Sequence, residues 1–290
     1  MLSVILKNKT ALSIVFIFSS MISSAFAGCH DDDSSKGREL TLEARVDALK
    51  QIKLSESPAI ETELLCLAAQ GPDYSKRLFV DSGSFVVLSQ QIDQQTTEDV
   101  INSTLFAQLA ASHDYNKNTQ IAQWYKRYTD VMSIQGWDIS EFDDVSLTSV
   151  STDLSVSEVI FEILKTALTD PSDQAVVDAA VSALKKLEKE GPFISLFNHA
   201  AIRSNQANFQ SSFVTRDEHG LVSMNLGYLV VGFKDISSTI LFLRVKAGET
   251  WIKSHDETIK LDYDVFNQVR DQVIKKLGEN ARSQVAGIDI

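Results

Sequence analysis

Consecutive apolar segments near the C-terminus constrain the fold of this chain more than any other stretch. Their patterns predict strands at 209–216, 221–233 and 239–246, and the apolar run 251–263 can add a fourth. One face of the second segment is apolar throughout, at Val222, Met224, Leu226, Tyr228 and Val230. Alternation with a period of two residues is typical of a strand that buries one face.

The opposite face of the same segment changes from polar to apolar, in the order Ser223, Asn225, Leu229, Val231 and Phe233. This change predicts a strand that runs from a half-exposed to a fully covered position. The polar breaks at 217–220 and 235–238 have the length of hairpin loops. We therefore expect an antiparallel β-meander over about 208–263.

Several amphipathic helices should cover this meander. The clearest is predicted to be capped by Asn118, with an apolar stripe of Ile121, Trp124, Tyr125, Tyr128, Val131 and Met132. Other helix starts are expected at Thr96 and at Ser155, where Glu158 completes a capping box. Helices, a terminal meander and a last helix indicate an α+β fold. We expect one globular domain over 39–290, with a subdivision near residue 150 as the alternative.

Residues 1–28 predict a secretory signal peptide. Lys7 and Lys9 precede an apolar run at 11–22, and small residues follow that run. This order of basic, apolar and small-residue segments is typical of export signals, and the run is too short to span a bilayer. We therefore expect an exported protein.

Two cleavage patterns overlap where this peptide ends. The triplet 25–27, Ala-Phe-Ala, fits ordinary signal peptidase, which would release a soluble secreted protein. The sequence 26–29, Phe-Ala-Gly-Cys, resembles the lipobox of bacterial lipoproteins. That resemblance implies acylation of Cys29, a polar tether at 29–38, and a lipoprotein anchored in a membrane, facing the periplasm or the cell surface. We favour this second interpretation.

The second cysteine, Cys66, lies in the apolar run 64–69, where a thiol usually behaves as a small buried hydrophobe. An oxidising compartment also permits a Cys29–Cys66 disulfide, which excludes acylation of Cys29.

The charge of the chain limits its possible partners. The formal charge is −12, and without residues 1–28, which carry two lysines, it is −12 − 2 = −14. A chain this acidic repels a phosphate backbone, so we expect no nucleic-acid partner.

The sharpest local candidate for chemistry is the stretch 80–84, Val-Asp-Ser-Gly-Ser. It matches the loop that carries the catalytic aspartate of aspartic proteases. That mechanism needs two carboxylates that share a proton, and the sequence contains no second Asp-Ser/Thr-Gly. We therefore interpret the stretch as a turn between two apolar segments, with Asp81 in a structural role.

Other motifs give no catalytic residue, cofactor or metal site. The helical spacing of a metal-binding histidine pair does not occur among the five histidines, which are His30, His113, His199, His219 and His255. The sequence has no serine nucleophile elbow, no phosphate-binding glycine loop and no dinucleotide glycine pattern. The Trp124 stripe is interpreted as the core face of its helix rather than as the lining of a pocket.

These features predict a lipid-anchored protein of the bacterial envelope that acts by binding rather than by catalysis. Its partners would be the membrane, through the lipid on Cys29, and a protein or small-molecule ligand. One alternative is a secreted toxin or virulence factor that acts on membranes, suggested by the near-uniform hydrophobicity of 156–168. A second alternative is a hydrolase whose site has no recognisable motif.

Overall fold

A computed structural model describes residues 40–56, 72–139, 146–147, 155–166, 168, 170–187, 192–203, 205–234, 240–244, 249–278, 284–288 and 290. These residues belong to one compact unit, Leu40–Ile290. The predicted signal peptide, the predicted tether with Cys29, and Cys66 lie outside the described residues.

Helices and strands are distributed along the whole described chain. The helices are α1 (Leu42–Gln51), α2 (Gln94–Asp114), α3 (Ile121–Ile134), α4 (Val156–Thr166), α5 (Pro171–Lys186), α6 (Pro192–Ala201) and α7 (Tyr263–Leu277). The strands are β1 (Leu78–Asp81), β2 (Ser84–Leu88), β3 (Trp137–Asp138), β4 (Ser146–Leu147), β5 (Ile202–Arg203), β6 (Gln206–Arg216), β7 (Val222–Phe233), β8 (Thr250–Leu261) and β9 (Val285–Ile288). A 3₁₀ helix covers Ile240–Phe242. This content confirms the predicted α+β class.

All of these strands join one mixed sheet in the order β3-β8-β7-β6-β2-β1-β9, with β4 also on β8 and β5 also on β6. Strands β6, β7 and β8 are antiparallel neighbours, so the predicted C-terminal strand region is present. The β1–β2 hairpin then joins β6 through a parallel pairing of β2 with β6. The sheet is therefore larger than the meander and draws strands from both halves of the chain.

The predicted strand at 239–246 is wrong. Within its described part, Ile240–Phe242 form a 3₁₀ helix and Arg244 makes an isolated bridge with Ser155, and the strand that follows β7 in the sheet is β8 (Thr250–Leu261). The run around Ile240 and Leu241 is apolar without alternation, and such a run does not distinguish a strand from a helical turn. Both side chains are buried, which explains their hydrophobicity without a place in the sheet.

Each face of the sheet is covered by its own layer of helices. On one face, the first core joins α1, α2, α3 and α7 to Met224, Leu226 and Val230 of β7. On the other face, the second core joins α4, α5 and α6 to Leu229 and Val231 of β7. Ser223 and Asn225 are only half-buried. The alternation along β7 is therefore confirmed, and the sheet is the middle of three layers.

Side-chain caps fix the ends of several helices. Ser155 and Glu158 form the predicted capping box, with the Ser155 amide donating to Glu158 Oε2 at 2.8 Å. Two other predicted starts are wrong. Helix α2 is capped by Asp93, which accepts from the amide of Thr96, and α3 begins after Gln120 without a side-chain cap. Among the described helices, none is long and apolar enough to cross a membrane.

Candidate functional site

A row of buried polar side chains crosses the sheet beneath α2 and α3, and we call it the polar row. Pairing between strands aligns its members in the order Asp81, Ser84, Gln210, Tyr228 and His255. All five are at most 6% exposed. Because residues paired across strands share a face of the sheet, one polar residue on each strand produces the whole row.

Asp81 anchors the row to helix α2. Thr104 donates to Asp81 Oδ2 at 2.5 Å, and Gln108 donates to the same oxygen at 3.2 Å. Gln108 also accepts from the amide of Gly83 at 3.2 Å, so α2 holds the tip of the β1–β2 hairpin. Among the described residues, Asp81 Oδ1 has no hydrogen-bond partner.

Burial determines the protonation of Asp81. Removal from water raises its pKa from 3.8 to about 7, although Thr104, Gln108 and the charge of Lys117 oppose this rise. The Lys117 ammonium also lies 4.5 Å from the centre of the Trp124 ring. None of the carboxylates in the described ranges shares a proton with Asp81, whose side chain is fully buried. The geometry therefore fits a structural aspartate and lacks the paired carboxylates of a protease.

Aromatic residues from α3 pack over the other end of the polar row. Trp124 and Tyr128 are stacked with their ring centres 5.7 Å apart, and Tyr125 lies 5.0 Å from Tyr228. Tyr125 donates to Glu257 Oε1 at 2.6 Å, and burial raises the pKa of that carboxyl group. These rings are core residues, as the helical spacing indicated.

The opposite face of the sheet carries an open cleft of about 180 Å³ beside α4, which we call the Gly227 cleft. Its polar side chains come from Asn225, Asp256 and Thr258, and Leu164 of α4 forms an apolar wall. Leu226 and Glu257 also border the cleft. Their side chains belong to the other face, where Leu226 joins the first core and Glu257 accepts from Tyr125.

A buried hydroxyl group lies beside Gly227 in the sheet. Ser211 pairs with Gly227, which pairs in turn with Asp256. A β-carbon at position 227 would lie 3.1 Å from Ser211 Oγ, so the glycine leaves space for the serine side chain. Ser211 is 0% exposed, and its hydroxyl has no hydrogen-bond partner in the described part of the chain. The residues that border the cleft do not include Ser211, so its hydroxyl is closed to a ligand there.

The Gly227 cleft offers both acceptors and donors. Thr258 donates its hydroxyl proton to Asn225 Oδ1 at 2.7 Å, so the Thr258 oxygen keeps its lone pairs, and the Asn225 amide nitrogen carries two N–H donors. Asp256 is exposed and adds a carboxylate. Within the described ranges, no group of three or more His, Cys, Asp or Glu residues is arranged to hold a metal ion.

The other residues singled out from the sequence are dispersed. His255 lies in the polar row, whereas its neighbours Ser254 and Asp256 belong to the opposite face of β8. His113 contacts Asp114 at 2.9 Å on the surface, His219 lies in an exposed turn, and His199 is exposed on α6. Cys29, Cys66 and His30 lie outside the described residues. Sequence reasoning missed the Ser211–Gly227 pair because its only signal was a glycine inside a strand.

No protein-family model matches the chain, and no curated protein matches it. Two solved structures are similar to it at low identity. One is described as a delta-endotoxin, with 13% identity, a TM-score of 0.36, and coverage of 64% of this chain and 87% of that one. The other is described as the Evf virulence factor, with 12% identity, a TM-score of 0.31, and coverage of 75% and 88%. TM-scores of this size assign neither a fold family nor an activity.

Proposed function

We propose that this is an exported, lipid-anchored protein that binds a small polar ligand in the Gly227 cleft. The observation that carries the binding part is the cleft itself, where Asn225, Asp256 and Thr258 place polar side chains around an open volume of about 180 Å³. These groups can hydrogen-bond a small ligand, and Leu164 offers it an apolar wall. The anchoring part rests on the lipobox-like residues that end at Cys29.

Binding is favoured over catalysis by the arrangement of the cleft. A hydrolase needs a nucleophile together with a base within hydrogen-bond reach. The described residues that line the cleft include no histidine, lysine or cysteine, and the hydroxyl among them, on Thr258, donates to Asn225. Its proton is therefore not shared with the exposed carboxylate of Asp256.

Two measurements test this function. Labelled palmitate should enter the wild-type protein and the control variant Cys66→Ser, but not Cys29→Ser. Incorporation into Cys29→Ser, or none into the wild type, would refute the anchor. For binding, a screen of small polar fragments by amide NMR should give hits whose shift changes centre on Asn225, Gly227 and Asp256. Hits confined to other surfaces would refute the cleft as the binding site.

Action on membranes is the second candidate. This function is suggested by the apolar helix α4, whose described side chains Val156, Ile160 and Leu164 are buried against the sheet. Membrane action would require these side chains to leave the second core, whereas ligand binding in the cleft would not. Release of dye from vesicles by the purified protein would favour this candidate, and intact vesicles would favour binding.

A further inference from the structure

We infer that Trp251, Gln206 and Lys253 form a binding site for a pyranose sugar ring, which we call the Trp251 site. It is separate from the Gly227 cleft, because it lies on the face of the sheet that carries the first core, at the end of β7. The inference is carried by the orientation of the indole ring and by the polar side chains on either side of it.

Trp251 is the exposed tryptophan of this chain. It is 41% exposed, whereas Trp124 and Trp137 are 0% and 1% exposed. Single apolar side chains are common on protein surfaces, so exposure alone does not indicate a binding site. The orientation of the ring is more informative.

The indole ring of Trp251 lies flat on the backbone of Gly232. The two residues pair across β7 and β8, and a β-carbon at Gly232 would overlap Cε2, Nε1 and Cζ2 of the ring, with Cε2 nearest. Cε2 is a fusion carbon bonded to the other two atoms, so Gly232 meets the ring through its face and not through its edge. One face of the indole therefore rests on the sheet, and the opposite face is turned towards solvent.

Gln206 borders the ring on the side of β6. It pairs with Gly232, so the indole that covers this glycine extends towards Gln206. Gln206 donates from Nε2 to Asn208 Oδ1 at 2.9 Å, and Asn208 donates in turn to Asn118 at 3.0 Å. These hydrogen bonds hold the Gln206 amide in place and leave its carbonyl oxygen as an acceptor beside the ring.

Lys253 borders the ring along β8. It lies two residues from Trp251 on the same face, a separation of roughly 7 Å, and it is half-buried. It forms no ion pair with any residue in the described part of the chain. Its ammonium group therefore offers three hydrogen-bond donors close to the indole.

A pyranose ring matches this combination of groups. Its faces present C–H groups, and its hydroxyl groups lie around the edge of the ring. The face of an aromatic ring carries a partial negative charge, which attracts C–H groups that carry a partial positive charge. A sugar stacked on Trp251 could then donate a hydroxyl proton to Gln206 and accept a hydrogen bond from Lys253.

The charges around the ring disfavour other occupants of the site. Lys253 repels a ligand cation that would otherwise bind the face of the indole. Lys234 and Glu249, joined by a backbone hydrogen bond just beyond Gly232, are both exposed. Insertion of Trp251 into a bilayer would bring these charges towards hydrocarbon, which is costly. A neutral ligand rich in hydroxyl groups avoids both penalties.

The test compares methyl β-D-glucopyranoside with sorbitol on the purified protein. The glucoside has only equatorial ring substituents, so both of its faces present C–H groups, whereas sorbitol carries similar hydroxyl groups on an open chain. NMR should resolve three indole N–H signals, one for each tryptophan, and Trp251→Phe assigns the signal of Trp251. The glucoside should shift this signal saturably, and sorbitol should bind at least tenfold more weakly.

Variants assign the contacts, with backbone amide shifts of β7 and β8 as the measurement. Trp251→Ala removes the stacking surface and should abolish binding. Gly232→Ala should raise the Kd at least tenfold, because its β-carbon displaces the indole without removing any group from the site. Gln206→Ala should raise the Kd several-fold. The matched control is Leu221→Ala, which alters another exposed apolar side chain at the other end of β7 and should leave the Kd unchanged.

Each of the opposite results would overturn the inference. Equal binding of sorbitol and the glucoside would show that the site does not recognise a pyranose ring. Binding of the glucoside that Trp251→Ala and Gly232→Ala do not weaken would place the sugar elsewhere. If lipid vesicles, and not the glucoside, protect Trp251 fluorescence from quenching by acrylamide, the site is a membrane contact. If the glucoside gives no saturable shift, the Trp251 site does not bind sugars.

Discussion

Replacement of Asp81 by asparagine should remove a large pH dependence from the stability of this protein. The folded-state pKa of Asp81 is raised, so the native state holds a proton that the unfolded state has already released. Stability from this group is fully present below about pH 4. It is lost as the pH rises towards 7, because the folded protein alone retains the proton over that window.

The size of the effect follows from the two pKa values. Burial raises the pKa from 3.8 to about 7, a difference of about three pH units. Each unit corresponds to about 1.4 kcal/mol, so this group should lower the free energy of unfolding by about 4 kcal/mol between pH 4 and pH 8. The charge of Lys117 and the hydrogen bonds of Thr104 and Gln108 are already included in the pKa of about 7.

The assay is urea denaturation of the soluble form that lacks residues 1–29, at several pH values, for wild type and Asp81→Asn. The stability of the variant relative to wild type should increase by about 4 kcal/mol from pH 4 to pH 8, because the neutral amide has no proton to lose. Taking the difference between variant and wild type cancels the titration of all other groups. Asp271→Asn, which removes an exposed carboxylate on α7, is the matched control. A difference for Asp81→Asn that does not change with pH would refute the argument that its carboxyl group is buried and titrates near pH 7.

Three further predictions use the same denaturation assay. Leu226→Ala should lower the free energy of unfolding by ~2–5 kcal/mol, because Leu226 is 1% exposed in the first core. Ser223→Ala on the opposite face should change this free energy by about 0.5 kcal/mol. Equal costs would contradict the assignment of faces. Asp262→Ala should cost ~1 kcal/mol through loss of the cap that accepts from the amides of Asp264 and Val265, and no loss would show that the cap is unimportant. Gly136→Ala should cost more than Gly220→Ala: both glycines have positive φ, but only at Gly136 would a β-carbon lie 3.0 Å from Val265. Equal costs would mean that the contact with Val265 relaxes freely.

Local patterns predicted those parts of the fold that local chemistry decides. The alternation of β7 and the capping box at Ser155 both follow from residues close to each other in the sequence. The start of α2 was misplaced because Asp93 and Thr96 are both good caps, and only the geometry shows which side chain accepts.

The features of the fold that the sequence did not predict depend on pairing between strands that are distant in the sequence. The parallel contact of β2 with β6 has no local signal, since more than a hundred residues separate the two strands. The polar row depends on that register, because Ser84 meets Gln210 only when the strands pair in this way. The sequence also did not predict the buried Ser211 hydroxyl, because its surroundings depend on the pairing of Ser211 with Gly227.

The parallel pairing of β2 with β6 also affects the order in which the chain can fold. The β6–β7–β8 meander and the β1–β2 hairpin each form from residues close in sequence, so each can assemble early. Their union closes a loop of about 120 residues, from Ser84–Leu88 to Gln210–Val214. Strand β9 adds its pairing with β1 across an even longer separation. Contacts of this range slow folding and leave strand edges open in the intermediates. A chain that crosses a membrane unfolded would thus complete its sheet only after β9 has emerged, and until then β1 would present an unpaired edge to other chains.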